Sequence, residues 1–129
     1  MDEEGQPVPI ANDAVLFRRI PPVFRQADGG TRPSSNAFDD SPDGSPMSVY
    51  VESILLTIGR SYVDVVVGHD GYGLVSFTAD KVRALDWDVR LGGAAEGDPL
   101  GLAHAGVLGK KTHSKQAKIA RTCTKVVWP

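Results

Sequence analysis

SYVDVVVGHDGYGLVSF, residues 61–77, carries the strongest local signal in the chain. Two runs rich in β-branched and aromatic residues flank a short stretch with Asp70-Gly71, a dipeptide suited to turns that need positive φ. The pattern predicts a β-hairpin over residues 62–77, turning at His69 to Gly73. Val63, Val65 and Val67 would line one face, and Tyr62, Asp64 and Val66 the other.

Working outward, ADKVRAL follows Thr78, an acceptable helix N-cap, with Asp80 in the first turn, so a short helix is expected. DWDVRL (86–91) alternates acidic and apolar residues and reads as a strand. GGAAEGDPLG (92–101) reads as a flexible loop and LAHAGVLG (102–109) as a short strand. Upstream, AVLFRRI (14–20) reads as a strand stopped by Pro21-Pro22, with the adjacent Arg18 and Arg19 on opposite faces. MSVYVESILLTIG (47–59) starts with strand character; the reading favoured is a strand running on into an irregular segment.

The expected fold is α+β: one small domain, mainly antiparallel sheet, with the hairpin and one or two short helices. At 129 residues the chain fits a single core, and 41% apolar with 23% charged residues is ordinary for a globular protein. Its 14 Gly and 9 Pro point to many loops. Residues 1–12, acidic and broken by Pro7 and Pro9, are expected to be disordered, leaving 13–129 as the domain. The segment 26–46 offers a core almost nothing but Phe38. It is read as a long loop, either disordered or a binding loop built on Arg32 and Phe38.

The start MDEEGQPVP lacks the basic head and apolar run of a signal peptide, and no apolar run is long enough to span a bilayer. Cys123, the single cysteine, has no internal disulfide partner. Together these predict a soluble, cytoplasmic protein with no membrane contact.

Charge is unevenly placed. Residues 1–102 carry all 16 acidic side chains against 8 basic ones, net −8, while residues 103–129 carry 6 basic and none acidic, net +6. Thr112 is an acceptable N-cap for a last helix from about His113 to Thr124. On it Lys111, Lys115, Lys118 and Lys125 fall in a stripe roughly 80° wide, with Arg121 at its border. Ile119, Ala120, Cys123 and Val127 take the other side.

A cationic helix of this kind suits contact with a phosphate backbone, by counterion release. It equally suits a solvated helix face, or one folded onto the acidic body. No aromatic residue interleaves the lysines, so base stacking is not indicated. The expected function is a small binding or accessory protein that docks an acidic macromolecule, nucleic acid or acidic protein. Its candidate residues are Lys110, Lys111, Lys115, Lys118, Arg121 and Lys125, with Arg18, Arg19, Arg32 and His104 in the body.

Catalytic signatures are missing. His69, His104 and His113 stand apart without metal-ligand spacing, no cofactor motif occurs, and Asp39, Asp40 and Asp43 read as a solvated acidic loop rather than a cation site. Cys123 reads as a small core residue, and Ser34-Ser35 has no base nearby in sequence. One likeness remains. LFR (16–18) on an early strand followed by SVYV (48–51) on another resembles the opening of ADP-ribosyltransferase-like folds, over about a third of the chain. That resemblance implies an NAD-using enzyme or toxin with a strand-borne arginine on the NAD phosphates. The catalytic acid many such enzymes carry on a later strand has no counterpart, since Glu96 lies in a Gly-rich loop.

Overall fold

The computed structural model describes residues 9–25 and 27–129. Its strands are β1 (Val15–Ile20), β2 (Met47–Val51), β3 (Gly73–Thr78), β4 (Asp88–Leu91), β5 (His104–Leu108) and β6 (Thr124–Val127). Its helices are α1 (Glu52–Thr57), α2 (Tyr62–Val66), α3 (Ala79–Ala84) and α4 (His113–Thr122). The strands form one sheet in the order β4-β5-β2-β1-β3-β6, every neighbouring pair antiparallel. This is a small single domain of α+β type.

The hairpin expected at 62–77 does not form, because its first arm is helix α2. Asp64, third in that helix, accepts the Ser61 backbone N–H at 2.9 Å, as a capping-box acid does. Burial follows the helix: Val65 is fully buried while Val63 and Val67 are 51% and 64% exposed, so the three valines share no face. Gly68 and Gly71 supply the positive φ of the turn back to the sheet. β3 then pairs with β1 through the six-residue register Val15↔Thr78 to Ile20↔Gly73, and with β6 on its other side. Val-rich composition gives only a weak strand preference, and here local capping and long-range pairing outweigh it.

Residues 52–57, read as irregular, form α1 and seat Leu55 in the core. The last helix ends at Thr122, two residues short of the expectation, and the chain turns into β6, which carries Lys125. Of the start expected to be disordered, residues 1–8 lie outside the described part. Ile10 is buried, with its carbonyl and the Asn12 side chain held by Arg83 at 2.7 and 2.6 Å. The segment 27–46 holds two 3-10 turns, Asp28–Gly30 and Ser35–Ala37, and buries Ala37 and Phe38 completely or nearly so.

The sheet is packed on both faces. One face joins Leu16, Ile20, Val49, Val75, Phe77 and Val107 to Val82, Ile119, Trp87 and Phe38. The other joins Phe17, Tyr50 and Leu74 to Leu55, Val65 and Leu100. Alternation along β2 thus sends Val49 to the first layer, and Ser48 and Tyr50 to the second. Among the described residues no helix is long and apolar enough to cross a membrane.

Candidate functional site

The basic end is not one stripe. The Lys111 side chain is only 2% exposed, and its ammonium donates to Asp40 at 2.7 Å and to the Val107 and Gly109 carbonyls at 2.8 Å each. Lys125 lies past the helix, donating to the Thr31 carbonyl at 2.7 Å, with its ammonium 5.8 Å from the Trp128 ring centre. Lys110, Lys118 and Arg121 stay exposed and Lys115 half-buried. The expected stripe loses Lys111 and Lys125 because one lies before the helix and the other after it. Lys81 of α3 extends the surface, donating to the Thr122 carbonyl at 2.8 Å beside the end of α4.

Arg18 and Arg19 do leave β1 on opposite faces. Arg18 runs into the first layer, where Nε and Nη2 donate to the Ala37 carbonyl at 3.1 and 2.9 Å and Nη1 to the Ser48 carbonyl at 2.9 Å. Burial lowers its pKa to about 10, with Asp39 and Asp40 opposing the shift. It staples the 34–38 turn to β2. Arg32, half-buried, pairs with Ala27 in an isolated bridge, next in the chain to Thr31, whose carbonyl takes Lys125.

Arg19 and His104 meet across Tyr50. Arg19 donates to the Val65 carbonyl, and its guanidinium lies 5.0 Å from the Tyr50 ring centre. The β2–β5 register sets Tyr50 opposite His104, with their rings edge to face at 5.5 Å. The Tyr50 hydroxyl donates to Asp98 at 2.9 Å. Burial, then the Asp98 acceptor, hold that phenol above its ordinary range. Beyond the imidazole, His104 Nε2 lies 3.0 Å from Ser48 Oγ and Nδ1 lies 2.6 Å from the Gly92 carbonyl.

A polar chain therefore runs Ser48–His104–Tyr50, with Asp98 and Arg19 on Tyr50, along the second sheet face. It parts two clefts: about 450 Å³ beside Arg19, Arg60, His69 and Asp98, and about 190 Å³ beside Ser48, His104 and Arg90. Sequence reasoning named Arg19 and His104 but missed Ser48, Tyr50 and Asp98. Alternation in SVYV does put Ser48 and Tyr50 on one face; their partners come from the strand register.

The acidic loop makes turns and one ion pair. Asp43 accepts the Ser45 N–H at 2.9 Å, which lowers its pKa, and Asp40 takes Lys111. Among the described residues no three His, Cys, Asp or Glu side chains gather as a metal site would require.

Cys123 follows α4, partly buried, its pKa raised from 9.0 to about 11, chiefly by burial. The folded thiol keeps its proton where the unfolded one has lost it, so stability should fall as pH rises from 9.0 to about 11. Tyr50 shifts the same way, so the readout is the difference between wild type and Cys123→Ala, whose melting temperature should decline less over that window. Parallel declines would show that the thiol is solvated.

No family model, curated protein or solved structure matches the chain.

Proposed function

We propose that this is a small binding protein that docks an acidic macromolecule, nucleic acid before acidic protein, on the surface of α4. One observation carries the reading: residues 103–129 hold six cations and no carboxylate, and Lys110, Lys115, Lys118 and Arg121 still reach water once internal contacts are made. Beside them, an apolar groove of about 160 Å³ runs between Leu85 and Ile119, with Lys81 and Lys118 lining it. α4 carries no Phe, Tyr or Trp, so contact would be mainly to phosphates, without sequence preference.

The expected result is binding to duplex DNA whose log K falls with log[salt] at a slope of about −3 to −4, for roughly four phosphates neutralised. Lys118→Glu with Arg121→Glu should remove most of that slope and leave the fold intact. A wild-type protein with no salt-dependent binding at low salt removes the nucleic-acid reading.

The second reading, an NAD-using enzyme of ADP-ribosyltransferase type, moves from Arg18 to Arg19. Arg18 has its donors on backbone carbonyls, whereas Arg19 lines the larger cleft with Arg60 and His69. Calorimetric titration with NAD, on wild type and Arg19→Ala, separates it from the first.

A further inference from the structure

The partners of His104 fix its tautomer. A carbonyl oxygen only accepts, so Nδ1, 2.6 Å from the Gly92 oxygen, carries the ring hydrogen. In the neutral ring Nε2 then presents a lone pair, and what it faces at 3.0 Å is the Ser48 hydroxyl. That is the arrangement of a base set to take a serine proton.

The orientation is built in. Gly92 receives Nδ1–H and returns its own N–H to the His104 carbonyl at 3.0 Å, so one residue grips the histidine twice. Holding that shape takes positive φ at two successive positions, +114° at Gly92 and +75° at Gly93, which side chains strain to adopt. A Cβ on Gly93 would stand 3.8 Å from the imidazole Cε1. On its other flank the imidazole meets Tyr50, itself fixed by Asp98.

The serine opens onto space. Ser48 pairs with Gly106, whose open Cβ position is covered by the Pro46 ring at 3.1 Å, and Pro46 forms one wall of the space beside the serine. The cavity of about 190 Å³ there is lined by Ser48, His104, Gly93, Gly106 and Arg90. Satisfying a buried imidazole requires neither a cavity beside its partner hydroxyl nor two left-handed glycines behind it.

We infer that Ser48 and His104 are a nucleophile and general base that cleave esters of short acyl groups. Ser48 Oγ attacks the ester carbonyl as its proton passes to His104 Nε2, and the carbonyl electron pair moves onto oxygen. Arg90, lining the same cavity, is placed to meet that charge. Collapse expels the alcohol oxygen, which takes the proton from Nε2 and leaves acyl-Ser48. Water, deprotonated by Nε2, then releases the carboxylic acid and restores the hydroxyl. Gly92, whose carbonyl takes Nδ1–H, positions the ring.

The test treats the full chain with p-nitrophenyl acetate and, separately, a fluorophosphonate, following p-nitrophenolate release and mapping the adduct by mass spectrometry. The expected result is a burst of about one equivalent and a label on Ser48. Ser48→Ala should lose it, and His104→Gln should slow it by about 100-fold or more. An unlabelled wild-type chain, a label confined to lysines, or equal rates in wild type and a His104→Gln variant with an intact melting transition would each overturn the assignment. The position of the label on wild type decides the matter even if His104→Gln fails to fold.

Discussion

Phe38→Ala is expected to lower the free energy of unfolding by about 3–5 kcal/mol, or roughly 10–20 °C in melting temperature, more than other truncations in residues 27–46. Phe38 is fully buried and meets Phe77 of β3 edge to face, centroids 6.2 Å apart. Its carbonyl accepts Gln116 Nε2 of α4 at 3.0 Å, and the preceding carbonyl, of Ala37, takes two donors from Arg18. One ring thus holds a polar segment against the sheet while its backbone ties down a helix and a buried guanidinium. Truncation leaves a cavity and loosens both ties. Phe38→Leu, keeping most of the volume, should cost less than about 2 kcal/mol. Urea unfolding of the two variants measures the contrast. A loss below 1 kcal/mol for the alanine variant would mean that the segment is not anchored through this ring.

That segment shows where the sequence was legible. In a run of Gly, Ser, Asp and Pro, Phe38 was the visible apolar residue and is a core residue. What could not be read was that Arg18, 19 residues upstream of Ala37, supplies donors for the turn beside Phe38. Strand β4 and helix α3 were legible because alternation and an N-cap residue marked each within its own residues, and β1 and β5 because a Pro-Pro stop and a Gly-rich loop bounded them. α2 was misread although Ser61 and Asp64 spelled a cap, since three valines in alternate positions suggest a strand more loudly than a short polar signal suggests a helix. The edge of β3 that a hairpin would have used belongs to β1 or β6, a choice made by pairing across the chain.

The candidate site divides in the same way. Arg19 and His104 stood out by chemistry, being a cation and an imidazole on predicted strands. Ser48 had no such mark, because its significance lies in a partner 56 residues away. The register Tyr50↔His104 and Ser48↔Gly106 turns two unremarkable strands into a polar chain beside a cavity. Nothing in either stretch states that register. It follows from which strands the apolar alternation forces to be neighbours.

Lys111→Gln should destabilise the fold by about 2–4 kcal/mol, while Lys118→Gln, six residues after the helix N-cap, should change it by less than about 0.5 kcal/mol. Both are lysines of the same basic run, and composition treats them alike. The ammonium of Lys111 has three donors and three acceptors: Asp40 Oδ1, the Val107 carbonyl and the Gly109 carbonyl, all within 2.8 Å. It also lies 5.3 Å from the ring centre of Trp87. A glutamine is shorter, has two amide donors and no charge, so it cannot serve all three. Asp40 is 41% exposed and regains water, which keeps the loss below that of a fully buried ion pair. The two carbonyls and the stem packing account for the rest. The neighbourhood has no slack, since Trp87 Nε1 donates to the Lys110 carbonyl at 2.9 Å and a Cβ on Gly109 would fall 2.7 Å from Trp87 Cδ1. In binding the order should reverse. Lys118→Gln should reduce the salt slope by about 0.9, one phosphate's worth, and Lys111→Gln, assayed well below its melting temperature, should leave it unchanged. Lys111 ties the basic end to Asp40 of the acidic body, whereas Lys118 faces solvent. If Lys111→Gln melts with wild type and lowers the slope, the side chain belongs in water with the others, and the corner around Trp87 is held by something else.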